Sequence, residues 1–166
     1  MIGVRPWNHA MHVEPRRELG DQHWQGEGVL AKAYLGYARH VPPHPAKIRV
    51  FRWLGRTFFS HGVRLSGHGG TRLRVDPTDY IGHEIAFSGA YEPRSISLAK
   101  RLMAPGGTFL DVGANFGLYT CPVSRIPGVR CIAVDASATA FTLLQSNLAL
   151  NAPHQVQAVN AALGIK

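Results

Sequence analysis

Apolar and polar positions in the second half of the chain alternate between short apolar runs and longer helical patterns. Three segments of five residues with mostly apolar side chains predict strands: Thr108–Val112, Arg130–Val134 and Val156–Asn160. Between them, Phe116–Arg125 and a segment from Ser137 to about Leu150 carry apolar residues at helical spacing, and Ser137 is a predicted N-cap. Strands that alternate with helices predict an α/β fold with a parallel sheet and crossover helices.

The first half of the chain is less regular. Residues 1–26 are polar and aperiodic, which predicts a poorly ordered tail. Further elements are predicted as follows: a helix over Glu27–His40 that ends before the prolines of 41–45, a helix or strand over Ile48–Leu54, turns over His61–Gly70, a half-buried strand over Arg72–Asp76, its antiparallel partner or a short helix over Glu84–Ser88, and a helix over Pro93–Met103. The parallel sheet is therefore expected to carry an N-terminal α/β-hairpin extension.

Charge is unevenly distributed along the 166 residues. The formal net charge is +8, and residues 1–70 hold ten Lys or Arg against four Asp or Glu. Such a basic segment suits nucleic acid, an anionic membrane surface or an acidic substrate, but it contains no block of like charges, which favours an ordinary solvated surface. Nucleic acid is not favoured, because no nucleic-acid fold signature or aromatic–basic interleaving is visible.

Targeting signals and cysteine usage indicate a cytoplasmic chain. The N-terminus lacks the apolar region of a secretory signal, and no run reaches the length of a membrane span. Cys121 and Cys131 fit neither a metal-binding nor a redox spacing, so both are expected to be free thiols, and no metal site is predicted.

The segment from Phe109 to Thr120 carries the most specific chemistry. It runs from an apolar strand through Asp111 into a loop with Gly113 and Gly117 four residues apart, a typical start of a nucleotide-type cofactor site. The spacing differs from the G-x-G-x-x-G of dinucleotide sites, and the Asp111 carboxylate would repel a pyrophosphate. It would attract the sulfonium and ammonium of S-adenosylmethionine by about 4 kcal/mol gross, at about 4 Å and an effective dielectric of about 20.

Asp135 ends the next predicted strand, about twenty residues beyond the first glycine of the loop. An acid at this place suits the two hydroxyls of a ribose, which are both free in S-adenosylmethionine. A lone acid at a strand end is otherwise an N-cap or a surface charge. The combination with the loop favours the ribose role.

Asp111-Val112-Gly113-Ala114-Asn115-Phe116-Gly117-Leu118-Tyr119-Thr120 resembles motif I of the FkbM-type methyltransferases. Gly89 to Pro93, Ser146 to Asn151 and Asn160 to Gly164 resemble flanking segments, so the likeness covers about residues 72–164. It implies a Rossmann-like class I methyltransferase fold, S-adenosylmethionine as the cofactor, and O-methylation of a hydroxylated small molecule or glycan. It also implies that Asp111, Gly113, Ala114, Asn115 and Gly117 contact the cofactor, with Glu92 near its methionine end.

The chain departs from the family pattern in two places. Asp135-Ala136 stands where the family has Glu-Pro, and Ile165-Lys166 follow Gly164 where the family often has an acid that faces the adenine. The shorter aspartate keeps its charge with one methylene less reach. The adenine contact is expected to be absent.

Only three strands of the seven expected for such a domain are predicted. We therefore expect residues 71–166 to be the N-terminal half of the cofactor-binding domain, and residues 1–70 a basic, partly disordered extension with one helix. The alternatives are a truncated, non-catalytic remnant or partner-binding fragment, and a nucleic-acid methyltransferase or binder. No general base is assigned: His61, His68 and His83 precede the loop, and each alone is typical of a surface or turn histidine.

Overall fold

Two three-stranded sheets, one antiparallel and one parallel, organise the part of the chain that the structure describes. The computed structural model describes residues 23–151, 155–162 and 164. Its elements in chain order are β1 (Gln25–Gly26), α1 (Gly28–His40), α2 (Lys47–Phe58), β2 (Val63–Gly67), β3 (Thr71–Val75), α3 (Tyr80–Ser88), α4 (Pro93–Met103), β4 (Gly107–Val112), α5 (Thr120–Val123), β5 (Val129–Asp135), α6 (Ala138–Asn151) and β6 (Val156–Asn160).

The antiparallel sheet has the order β1-β2-β3. Val63 and Leu65 of β2 pair with Val75 and Leu73 of β3, and all four side chains are buried. The prediction of turns over His61–Gly70 is therefore wrong for β2, whose period-two alternation buries one face. The turn between the two strands is confined to residues 68–70.

The parallel sheet has the order β4-β5-β6. Gly107–Val112 pairs with Val129–Val134, and β5 pairs on its other side with β6. The predicted α/β class, the three parallel strands and the crossover helices are confirmed. β3 belongs to the other sheet, so it does not cover the outer edge of β4, where Leu110 and Val112 are each 57% exposed.

The helices agree with the predictions except at α5. The boundaries of α1 and α4 are as predicted within one residue, and α6 begins after Ser137, whose hydroxyl accepts from the Ala140 N–H at 3.3 Å. The segment around Ile48–Leu54 is helical in α2, and Glu84–Ser88 belongs to α3, so the strand alternatives are wrong. Of the predicted helix Phe116–Arg125, only Thr120–Val123 forms, because Gly117 has a φ of 88°, which no α-helix accepts.

One core joins the two halves of the chain. Trp24, Phe51 and Leu65 from the first half are fully buried in the same cluster as Ile96 and Phe116 from the second. The tail prediction is thus wrong for residues 23–26, where Trp24 is buried and β1 pairs with β2; residues 1–22 lie outside the described residues. The β2–β3 hairpin crosses residue 70, and the division at that residue stays a prediction.

Two asparagines of α6 attach the hairpin to the parallel sheet. Asn147, fully buried, accepts from the Arg74 N–H at 2.7 Å and donates to the Arg74 carbonyl at 2.9 Å and to the Phe116 carbonyl at 2.8 Å. One turn later, Asn151 makes the same pair of bonds to Arg72, at 2.9 and 2.6 Å. The side-chain amides thus satisfy the outer backbone edge of β3, which no strand pairs within the described residues.

Candidate cofactor site

The glycine loop leaves β4 at its carboxyl end and turns back across β5. The N–H groups of Gly113 and Ala114 both donate to the Val134 carbonyl, at 2.9 and 3.0 Å. Gly113 has a φ of 77°, and a Cβ built there would meet nothing within 4 Å. Glycine is therefore needed at this position for the backbone turn, and open space lies beside it where a ligand could approach the backbone.

Asp135 holds the loop and the start of α6 together. Its carboxylate accepts from the Asn115 N–H at 2.7 Å through one oxygen and from the Ser137 N–H at 2.8 Å through the other. The residue is 9% exposed. Each carboxylate oxygen has a second lone pair, so acceptance from ribose hydroxyls remains compatible with both bonds. The ribose role of Asp135 stays a prediction.

Asp111 lies under the loop and faces the same region as Asp135. Its carboxylate accepts from the Thr120 hydroxyl at 2.5 Å. Burial, with a smaller contribution from the negative charge of Asp135, raises the pKa of Asp111 above its usual value, against the opposing effect of the Thr120 bonds. The two carboxylates therefore form an acidic site that a cation would stabilise.

Glu92 reaches the loop from the start of α4. It has a φ of 47°, and its carboxylate accepts from the Tyr119 hydroxyl. Burial, followed by this hydrogen bond, raises the pKa of Tyr119 to about 12. The structure thus brings Glu92 beside the residues that follow the loop. Whether it contacts a cofactor stays a prediction.

The distal half of the loop is fixed by packing. Ala114 and Phe116 are buried, and Asn115 takes a φ of 48° at the turn. A Cβ on Gly117 would lie 2.9 Å from both the Cys121 sulfur and a Leu144 methyl group, so the loop approaches α6 closely at this point. The four-residue α5 that follows is too short to present a helix N-terminus to an anion.

The three histidines before the loop have different surroundings. His68 lies in the turn between β2 and β3, one of the two predicted settings, but its ring is buried against Trp24, with ring centroids 4.9 Å apart. Burial lowers the pKa of His68 to about 4. His83 stacks on Phe87 at 4.3 Å, and His61 is exposed at a turn. Among the described residues, none of the three is hydrogen-bonded to the loop.

Both cysteines are free, as predicted, and both are buried. Burial raises the pKa of Cys121 to about 12 and that of Cys131 to about 11, so both are held as thiols. Neither is suited to act as a nucleophile.

Sequence reasoning missed three polar residues that support the site. They are Thr120 on Asp111, Tyr119 on Glu92, and Asn160, which donates to the Asp135 carbonyl at 2.8 Å. Asn160 could have been suspected, because a polar residue that ends a buried strand next to Asp135 needs a partner. The pattern offered no signal for the other two.

Comparisons with known proteins give partial matches. No family model matches the sequence. Over 89 residues, 53% of this chain, the sequence is 34% identical to the AMB antimetabolite synthetase AmbE of Pseudomonas aeruginosa, of which the match covers 4%. The chain therefore spans a small fraction of the length of this curated relative.

Two solved structures are similar to part of the chain. TYW2 of P. horikoshii, in complex with MeSAdo, is 18% identical with a TM-score of 0.44, and the match covers 55% of this chain and 33% of that one. Trm5b of Pyrococcus abyssi is 18% identical with a TM-score of 0.46, with 59% and 28% covered. Membership of the FkbM-type family stays a prediction.

Proposed function

We propose that the loop between β4 and α5 binds S-adenosylmethionine and that the chain belongs to a methyltransferase. The observation that carries the proposal is the pair of carboxylates, Asp111 and Asp135, that flanks the loop at adjacent strand ends. The loop lies at the carboxyl ends of parallel strands, where open α/β sheets commonly bind their ligands, and this supports the proposal.

The charge of the site supports this cofactor over a dinucleotide. Burial and the negative charge of Asp135 both disfavour the ionised form of Asp111. A sulfonium or ammonium group near Asp111 would lower the free-energy cost of its ionisation, whereas a pyrophosphate would raise this cost. The short α5 likewise offers no helix dipole to a phosphate.

The residues around the loop have distinct proposed tasks. Gly113 gives the cofactor access to the backbone, Asp111 and Glu92 face its cationic methionine end, and Asp135 accepts from its ribose. The remaining loop residues, Ala114, Asn115 and Gly117, fix the path of the backbone. When bound, the cofactor supplies an electrophilic methyl group.

The acceptor is proposed from the family resemblance as a hydroxylated small molecule or glycan, methylated on oxygen. AmbE, the curated relative, is named an antimetabolite synthetase, which agrees with small-molecule chemistry. For such a transfer the protein mainly aligns the acceptor oxygen, and a base assists by taking its proton. No described residue is assigned as that base.

Titration calorimetry of the full chain with S-adenosylmethionine and S-adenosylhomocysteine tests the proposal. We expect both to bind with micromolar dissociation constants, about −8 kcal/mol, and NAD⁺ to give no heat as the matched dinucleotide control. Absence of binding by a chain that circular dichroism shows to be folded would contradict the proposal. Binding without methyl transfer to any hydroxylated acceptor would instead support a non-catalytic, cofactor-binding role.

A further inference from the structure

The segment from Gly28 to Val75 has an extreme charge composition. Its 48 residues contain nine Lys or Arg and no Asp or Glu. Three of the nine cations are used inside the fold: Arg39 donates to the Trp24 carbonyl and to backbone carbonyls of α3, Lys47 donates to the Val41 carbonyl, and Arg72 pairs with Glu27. The others have no acidic neighbour within the segment to neutralise them.

Three of these cations lie together on the exposed face of α2. Arg49, Arg52 and Arg56 are exposed, and within the described part of the chain they make no hydrogen bond or ion pair. Their spacing of three and four residues places them on the same side of the helix as Trp53. This face therefore concentrates positive charge around an aromatic ring.

Four large apolar side chains of α1 and α2 are also exposed. Val29 is 83% exposed, Leu30 70%, and Trp53 and Phe58 60% each. The Trp53 and Phe58 rings meet edge to face at 6.4 Å, and Phe58 and Leu30 line the same cleft between α1 and α2. We call these four exposed residues of α1 and α2 the α1–α2 ridge.

The cleft beneath the ridge is apolar and open. It has a volume of about 220 Å³, and its walls include the rings of Tyr34, Tyr37 and Phe59. A cleft of this size accommodates a few methylene groups. Exposed apolar surface rimmed by cations is unfavourable in water and marks an interaction surface.

We propose that the α1–α2 ridge docks the protein on an anionic membrane surface. In this arrangement Trp53, Phe58, Leu30 and Val29 enter the headgroup–acyl boundary, while Arg49, Arg52 and Arg56 contact lipid phosphates. Tryptophan and arginine are the side chains that this boundary favours. The docking is peripheral, because among the described helices none is long and apolar enough to cross a bilayer.

The composition of the ridge favours a membrane over a nucleic acid. Trp53 between arginines would also suit base stacking. The aliphatic side chains of Val29 and Leu30 and the apolar cleft, however, have no role in binding a phosphate backbone. They are accounted for by contact with acyl chains.

Vesicle docking is independent of the proposed cofactor site and is measured without any cofactor.

Vesicle flotation of the full chain tests the proposal. We expect binding to phosphatidylcholine vesicles that contain about a third phosphatidylglycerol, and little binding to phosphatidylcholine alone. Arg49→Gln/Arg52→Gln/Arg56→Gln should lower the partition coefficient roughly 100-fold. Trp53→Ser/Phe58→Ser should lower it roughly tenfold and should remove the part of the binding that survives high salt.

Matched variants elsewhere on the surface separate specific docking from bulk charge. Arg94→Gln/Arg101→Gln/Arg130→Gln removes three other exposed arginines, and Leu102→Ser removes another exposed apolar side chain. Both variants should bind vesicles as the parent does. Equal loss in these variants, absence of vesicle binding, or binding to a single-stranded RNA oligonucleotide but not to anionic vesicles would each overturn the proposal.

Discussion

At the scale of single residues, Asp111 shows a conflict between folding and ligand binding. Burial and the charge of Asp135 raise its pKa, so ionisation of Asp111 is opposed more strongly in the folded protein than in the unfolded chain. Its contribution to stability is therefore greatest when it is protonated, and it declines as the pH rises through the raised pKa. With a cation bound nearby, ionisation of Asp111 would instead stabilise the folded protein.

Asp111→Asn removes the buried charge and keeps a side-chain oxygen for the Thr120 hydroxyl. We expect the melting temperature of the free protein at pH 7 to rise by about 3 °C, and this gain to disappear below about pH 4, where aspartate is protonated in both states. Differential scanning calorimetry across this pH range measures it. A variant that is less stable than the parent at pH 7 would contradict the account of Asp111.

The same substitution should weaken S-adenosylmethionine binding at least about tenfold. In the parent, affinity should fall as the pH is lowered and Asp111 is protonated, with a midpoint above the ordinary carboxyl value. In Asp111→Asn this pH dependence should be absent. Thr120→Val, which removes the hydroxyl but not the charge, is the matched control.

At the scale of elements, α6 connects the hairpin to the loop. Asn147 is buried and bonds to Arg74 of β3 and to Phe116 of the loop, whereas Asn151 repeats only the hairpin bonds at a more exposed place. The two residues thus make comparable bonds at different depths. We expect the more buried asparagine to contribute more to the free energy of unfolding, because a buried polar group that loses its partner has no water to replace it.

Asn147→Ala should lower the free energy of unfolding by about 3 kcal/mol, because it leaves the Arg74 N–H and two carbonyls without partners in the core. Asn151→Ala should cost less than about 1 kcal/mol. Urea denaturation of both variants measures the difference. Equal losses would show that burial does not govern these bonds.

Several elements were predictable because their signals are local. The three parallel strands are short segments with mostly apolar residues, α4 begins at Pro93, and Ser137 caps α6. The failures have tertiary causes. The segment that contains β2 has four glycines and was therefore predicted as turns, but pairing with β3 makes Val63–Gly67 a strand. The predicted helix over Phe116–Arg125 is replaced mostly by turns, because Gly117 takes a positive φ to approach Leu144.

The seven predicted site residues surround one loop, but their partners Tyr119 and Thr120 became visible only in three dimensions.

At the scale of the whole molecule, the antiparallel and parallel sheets share one core. Leu65 of β2 is fully buried in the cluster that includes Phe116 and Cys121. The two halves offer separate probes, since all three tryptophans precede residue 71 and both cysteines follow it. A shared core predicts that the two halves unfold together.

Leu65→Ala should cost about 3 kcal/mol and should lower the urea midpoints of tryptophan fluorescence and of thiol labelling by the same amount. Leu102→Ala, at an exposed position of α4, should leave both midpoints nearly unchanged. Two separate midpoints in the parent, or a shift in fluorescence alone, would favour independent units on either side of residue 70.

The asparagine contacts to β3 also bear on which positions can change over generations. Asn147 and Asn151 recognise the main chain of residues 72 and 74 and not their side chains. Every amino acid except proline offers the same N–H and carbonyl there. The attachment of the hairpin to α6 is therefore preserved when the side chains at 72 and 74 change, although a change at 72 also removes the ion pair with Glu27. Variation between relatives should accordingly be greater at 74 than at 147 and 151.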